Sequence, residues 1–168
     1  MKTRELTLMA LLVALGTTTA RFAWFSVGVA KATPVQHAIN VMAAVFLGPE
    51  RAVLVAFLIG LLRNLLGVGS LLAFPGGMVG ALLAGLCYRL TGRTWTAAVG
   101  ELVGTGILGA LLAYPVAKYF LGSSGAATMF VFPFIVSSGV GAVVGFALVS
   151  ALLATGRLPG LQVQKRDS

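Results

Sequence analysis

The stretch FVFPFIVSSGVGAVVGFALVSALLAT, residues 130–155, contains no charged side chain. At about 1.5 Å of rise per residue, a helix of this length crosses the ~30 Å hydrocarbon core of a bilayer. A soluble domain carries roughly 25% charged residues, whereas this chain carries 10%, with 58% hydrophobic residues and a mean hydropathy of +1.00. The chain has more apolar surface than a water-soluble core could bury, so lipid is its expected solvent.

Outward from that stretch, apolar runs separated by glycine, proline or charged residues predict five further membrane spans. The sequence therefore predicts an all-α integral membrane protein, a compact bundle of six transmembrane helices that forms a single domain over residues 1–168. The first four runs are shorter than the ~20 residues of a typical span, so we expect interfacial residues to extend them. The predicted spans are residues 6–20, 34–47, 52–66, 76–90, 97–118 and 130–155.

The basic residues predict the orientation, because Lys and Arg near helix ends are retained on the cytoplasmic side. With the N-terminus inside, eight lie on the inner side and four at or near the outer side, which favours two cytoplasmic termini and a short cytoplasmic tail at about residues 157–168. Alternatively, the first span is a cleaved signal peptide, which would leave five spans. The inner set is Lys2, Arg4, Arg51, Arg89, Arg93, Arg157, Lys165 and Arg166, and the outer set is Arg21, Lys31, Arg63 and Lys118.

Composition and motifs disfavour several classes of function. The net charge of +8 is spread over single basic residues between apolar runs, which disfavours nucleic-acid binding. One histidine and a lone Cys87 cannot supply a clustered metal site, so neither a metal nor a cofactor is expected. The sequence has no G-x-S-x-G, H-E-x-x-H, C-x-x-C or Walker motif, and an enzyme is therefore disfavoured.

Polar residues cluster near the expected outer ends of the second and third spans. Polar groups within a membrane are unfavourable unless they have partners, so they are candidates for function. At helical spacing, Gln36, His37 and Asn40 fall within about 100° of arc and can face one cavity. Arg63 and Asn64 lie at a similar depth in the third span. The sequence predicts a substrate site at this end, although each residue could instead bridge helices or reach the headgroups.

The connection at residues 67–77 has too many glycines for a stable helix and too many apolar residues for a solvated loop. We expect it to fold over the site as a lid with Phe74 pointing inward, or else to be a plain interfacial loop. Tyr114, followed by a proline, could close the site from the opposite side. Phe130 and Phe134 stand four residues apart in the last span and could stack on a ligand.

Glu101 is the acidic residue that the sequence places inside a predicted span. It lies about one turn from the expected inner end of the fifth span, where pairing with Arg51 or Arg93 is the simplest expectation. A role in proton coupling or in substrate binding is the alternative.

Small residues recur at four-residue spacing, which places them on one helix face and allows close packing of helices. Most of these pairs are expected to pack inside the bundle. Ala10 and Ala14 are the expected exception, because they lie on the first helix and could offer this face to a partner protein. The other pairs are Gly76 with Gly80, Gly100 with Gly104, and Gly141 with Gly145.

Several motifs together resemble the ThiW family, the substrate-binding S components of energy-coupling factor (ECF) transporters. The resemblance covers roughly residues 5–120 well and the last helix weakly. Its motifs are PVQHAINV at residues 34–41, LGP at 47–49, LRNLLG at 62–67, AFPG at 73–76, GE at 100–101 with GTG at 104–106, and AYP at 113–115.

The resemblance implies a six-helix monomer in the prokaryotic cell membrane that binds a vitamin precursor from outside. It implies partners, namely a transmembrane T component, which docks on Ala10 and Ala14, and two ATP-binding-cassette ATPases. The family association makes the thiazole precursor of thiamine, hydroxyethylthiazole, the expected substrate. Two alternatives are a stand-alone carrier driven by protons through Glu101 or His37, and an assembly subunit without transport function.

Overall fold

The computed structural model describes residues 3–27, 30–122 and 126–156. Residues 157–168, where a cytoplasmic tail is predicted, lie outside the described residues. Six helical segments follow one another along the described part of the chain. They are α1 (Thr3–Thr19), α2 (Pro34–Leu47), α3 (Pro49–Leu65), α4 (Ala73–Thr91), a long fifth helix made of α5 (Thr94–Val103), a π-helical turn (Gly104–Gly109) and α6 (Ala110–Phe120), and lastly a 3₁₀ turn (Ala127–Phe130) continuing into α7 (Val131–Ala154).

Three of these helices are long and apolar enough to cross a bilayer, and they span Ala73–Thr91, Thr94–Phe120 and Thr128–Ala154. The other three are shorter. With 14 residues, α2 is about 21 Å long and does not reach across the ~30 Å hydrocarbon core by itself. The count of six full spans and the cytoplasmic position of both termini stay predictions.

The core forms around α2, which has 11 of its 14 residues buried. It packs against α7, α4 and α3. A single residue separates it from α3, because Gly48 adopts a left-handed φ of 84° and Pro49 starts the next helix. Only glycine adopts such a φ without strain, and proline suits the first turn of a helix. The chain therefore reverses direction sharply, and α2 and α3 form a helical hairpin.

A short antiparallel hairpin precedes α2, which the sequence did not predict. Its strands are β1 (Phe25–Val27) and β2 (Ala30–Ala32), paired from Phe25 with Ala32 to Val27 with Ala30. Three-residue strands are too short to show an alternating pattern of polar and apolar residues.

The predicted glycine pairs are packing positions. A Cβ on Gly104 would lie 2.8 Å from the Cα of Gly80, and one on Gly100 would lie 2.7 Å from the carbonyl oxygen of Leu83. On α7, a Cβ on Gly145 would meet the carbonyl oxygen of Ala38 at 2.9 Å. Such distances are shorter than ordinary contacts, so these glycines allow the helix backbones to approach one another closely.

Candidate ligand-binding cavity

A cavity of about 270 Å³ lies at the end of the bundle where α2, α4 and α7 begin and α3 ends. Its floor and walls come from the hairpin, the helix ends, the π-helical turn and the loop after α3. Ligand pockets are typically lined by apolar side chains with a few convergent polar groups, and this size suits a small ligand. The lining residues are Lys31, Thr33, Gln36, His37, Arg63, Val68, Gly69, Ser70, Leu72, Ala73, Gly76, Gly77, Thr105, Phe130, Pro133, Phe134 and Ser137.

Arg63, in the last turn of α3, is buried and joins three elements at the cavity. Its Nη1 donates hydrogen bonds to Oε1 of Gln36 and, at 3.3 Å, to Oγ1 of Thr33. The backbone N–H of Thr33 in turn donates to Oγ of Ser137 at 2.9 Å, which links the start of α2 to α7. These bonds hold the guanidinium group in place before any ligand binds.

A second polar cluster surrounds Glu101, which has no solvent exposure. Its Oε1 lies 2.8 Å from Nδ1 of His37 and 2.9 Å from Oγ1 of Thr105, and it accepts a hydrogen bond from Nδ2 of Asn40 at 3.1 Å. Its other oxygen, Oε2, has no hydrogen-bond partner among the described residues. The cluster joins α2 to the fifth helix, and His37 and Thr105 extend it to the cavity.

The expected pairing of Glu101 with Arg51 or Arg93 is wrong for Arg51, and no ion pair joins Glu101 to Arg93 among the described residues. Arg51 pairs with Glu5, with Nη1 3.0 Å from Oε1. Glu101 contacts His37 instead because α2 is short, so that His37 in its first turn lies at the same depth in the bundle as Glu101.

Aromatic side chains form the apolar wall. The rings of Phe130 and Phe134 lie 6.4 Å apart at 58°, and both line the cavity beside Pro133. Tilted rings at this distance are favourable and offer a flat ligand both ring faces and edges. The loop residues Val68 and Leu72 complete the apolar part.

The structure brings together three of the seven predicted substrate-binding residues as lining residues: Gln36, His37 and Arg63. Asn40 lies behind them, fully buried, and donates a hydrogen bond to the carbonyl oxygen of Gly77 at 3.1 Å. Asn64 lies outside the lining and connects α3 to the loop that follows it, since its Nδ2 donates to the carbonyl oxygen of Gly60 in α3 at 2.8 Å and to that of Ser70 in the loop at 3.3 Å.

The expected inward direction of Phe74 is wrong. Its ring packs on Phe57, with centroids 5.7 Å apart, and lies against Gly60. Tyr114 is also absent from the lining and lies beside Lys118, whose Nζ is 5.9 Å from its ring. The segment predicted as a lid is shorter than expected, because α4 already begins at Ala73. Four residues of the remaining loop between α3 and α4 line the cavity, namely Val68, Gly69, Ser70 and Leu72.

Several lining residues were not among the predicted site residues. Phe130, Phe134 and Ser137 stand at helical spacing in the last span, and that pattern carried the signal for an aromatic wall. Lys31 and Thr33 come from the unpredicted hairpin and the residue after it. Their position at the cavity depends on how the hairpin folds back, and no short sequence pattern predicts that.

Comparisons with known proteins agree with this architecture. A family model described as "Thiamine-precursor transporter protein (ThiW)" matches residues 6–155. A solved structure described as the S component of a bacterial ECF transporter superposes with a TM-score of 0.67 at 20% sequence identity, covering 93% of this chain and 98% of that chain. At this identity the likeness concerns the fold. No curated protein sequence matches the chain.

Proposed function

Because the chain belongs to the ThiW family of thiamine-precursor transporter proteins, we propose that it is the substrate-binding S component of an ECF transporter and captures hydroxyethylthiazole from outside the cell. The fold it shares with a solved S component supports the first part. The cavity supports the second, and its combination of convergent polar groups with an aromatic wall is the single observation that carries the proposal.

The cavity offers the contacts that a small heteroaromatic alcohol needs. Phe130 and Phe134 can pack against a thiazole ring, while Gln36, His37 and Ser137 present polar groups to the hydroxyl and the ring nitrogen. A few directional hydrogen bonds and apolar walls are the usual composition of such sites. The volume of about 270 Å³ lies at the small end of ligand pockets, which suits a compact ligand.

Uptake against a gradient then needs an energy source, for which we propose a transmembrane T component and two ATP-binding-cassette ATPases. The exposed positions of Ala10 and Ala14 on α1 support this proposal. Neither side chain is used in packing the bundle, and two small residues one turn apart let a partner helix approach closely. The proposed location is the plasma membrane, with six spans, both termini in the cytoplasm and the cavity facing outward.

A calorimetric titration of the purified chain, without partners, tests the proposal. The ligands are hydroxyethylthiazole, the pyrimidine precursor of thiamine, and thiamine itself. We expect saturable binding of the thiazole and weaker binding of the other two. A folded protein that binds none of them, or prefers the pyrimidine, would refute the assignment.

A proton-coupled carrier is the second candidate, because His37 and Glu101 form a buried pair of titratable groups in contact with the cavity. Buried ionisable residues of this kind occur in proton relays. Proteoliposomes that contain this chain alone, compared with proteoliposomes that also contain the T component and the ATPases, separate the two functions. Thiazole uptake driven by an imposed pH gradient would favour the carrier, and uptake only with the ATPases and ATP would favour the S component.

A further inference from the structure

Arg63 is a buried cation that the protein leaves partly unpartnered. Its side chain lines the cavity, the residue is 5% exposed, and its Nε has no hydrogen-bond partner among the described residues. Its Nη1 bonds to neutral oxygens, those of Gln36 and Thr33. Within the part of the chain that the structure describes, the positive charge of the guanidinium therefore has hydrogen-bond acceptors but no compensating negative charge.

The three acidic residues that the structure describes lie away from Arg63 or are bound to other residues. The sequence has four acidic residues. Glu101 is bound to His37, Glu5 pairs with Arg51, and Glu50 is exposed in the first turn of α3, about 20 Å along the helix from Arg63. The fourth acidic residue is Asp167, which lies outside the described residues.

Lys31 adds a second cation to the cavity lining. It is exposed, and its Nζ lies 4.5 Å from the ring centroid of Trp24, which holds the ammonium group at the rim. Lys31 and Arg63 are both basic and no acidic residue of the described part of the chain lines the cavity, while Glu101 lies behind the lining, bound to His37.

From this arrangement we infer that the preferred ligand carries an anionic substituent, a carboxylate or a phosphate, which binds Arg63 while its ring packs on the aromatic wall. The inference rests on the binding role and the thiazole ring of the proposed function, and it replaces the neutral alcohol by an anionic derivative as the preferred ligand. A neutral ligand that displaces water from the cavity would leave the guanidinium without solvation or counter-charge, which is unfavourable. An anion offsets that loss, and charge-assisted hydrogen bonds to Arg are stronger than neutral ones.

Calorimetric titration with three matched thiazoles tests the inference. They share the methylthiazole ring and differ in the side chain: the neutral hydroxyethyl compound, its phosphate monoester, and 4-methylthiazole-5-acetate, which carries a carboxylate. We expect at least one anion to bind about tenfold or more tightly than the alcohol, a difference of about 1.4 kcal/mol. The tighter of the two anions identifies the anionic group.

The variant Arg63→Gln retains hydrogen-bonding groups and removes the charge. We expect it to remove the preference for the anion, so that the anion and the alcohol bind this variant with affinities within about threefold of one another. Arg93→Gln is the matched control, because Arg93 is exposed at the opposite end of α4 and should leave all three affinities unchanged. Lys31→Gln, at the exposed rim, provides a second variant if Arg63→Gln does not fold, and should weaken binding of the anions alone.

Two results overturn the inference and are distinguishable from failure of the proposed function. Binding of the alcohol as tightly as the tighter of the two anions would refute the anionic ligand and leave the thiazole assignment intact. An anion preference that is unchanged in both Arg63→Gln and Lys31→Gln would place the anion elsewhere. Absence of binding for all three compounds to folded protein would refute both proposals.

Discussion

Nδ1 of His37 lies 2.8 Å from Oε1 of Glu101, although 64 residues separate them in the sequence. The contact connects the first turn of α2 to the middle of the bundle. His37 lines the cavity, and Glu101 lies behind it without solvent exposure. When Nδ1–H donates a hydrogen bond to the carboxylate, Nε2 is the ring nitrogen left to contact a ligand, so Glu101 orients the imidazole.

We expect Glu101→Gln to destabilise the protein by about 1–3 kcal/mol, because a neutral amide oxygen accepts the hydrogen bonds of His37, Asn40 and Thr105 more weakly than a carboxylate does. Thermal unfolding in detergent, followed by circular dichroism, measures the change. Glu50→Gln is the control, since Glu50 is exposed and should change stability by less than about 0.5 kcal/mol. Equal stability of Glu101→Gln and the parent chain would show that the cluster carries no net stabilisation.

His37→Ala should weaken ligand binding by about 1–3 kcal/mol, the size expected when a buried hydrogen bond is lost. The measurement is a calorimetric titration with the best of the three thiazoles. Tyr114→Phe serves as the control, because Tyr114 lies outside the cavity lining and its variant should bind normally. If His37→Ala binds as well as the parent chain, His37 does not contact the ligand.

Ala10→Phe with Ala14→Phe should abolish co-purification with the T component and leave ligand binding intact. Both alanines are exposed, so the larger side chains find room in the isolated chain but separate the two helices in the complex. Val143→Phe is the matched control, because Val143 is a 68% exposed apolar position on α7. Loss of ligand binding together with docking would mean that these alanines support the bundle itself.

Gly104→Ala should destabilise the fold by about 1–3 kcal/mol, because the new methyl group would lie 2.8 Å from the Cα of Gly80 and force α4 and the fifth helix apart. In Gly139→Ala the nearest atom would be 3.7 Å away, and alanine favours a helix by up to about 1 kcal/mol. Thermal unfolding of the two variants side by side measures the contrast. A stable Gly104→Ala protein would show that the two helices can separate freely.

Much of the fold was predictable because apolar runs indicate helices, and the glycine and proline residues between them indicate where the helices end. The predicted second span matches α2 at both ends, since Pro34 begins it and Gly48 ends it. Directions of side chains were less predictable. The fourth span was expected to begin at residue 76, but α4 begins at Ala73, which places Phe74 in its first turn and turns the ring toward Phe57. Successive side chains on a helix point about 100° apart, so an error of one residue in a predicted helix start changes the predicted direction of a side chain by about that angle.

Part of the candidate site was predictable from the spacing of polar residues along the predicted helices. Gln36 and His37 follow from their spacing on α2, and Arg63 from its place at the end of α3. The partner of Glu101 was not predictable, because the depth of each residue in the membrane was predicted from its own span alone. Only the packed structure shows that the short α2 brings His37 to that level.

The α2–α3 hairpin is closed at both ends, covalently at Gly48 and Pro49 and non-covalently where Arg63 bonds Gln36. A solute that binds the guanidinium of Arg63 competes with the hydrogen bond between Arg63 and Gln36. Any affinity measured at this site is therefore a difference between two sets of hydrogen bonds, one given up and one gained.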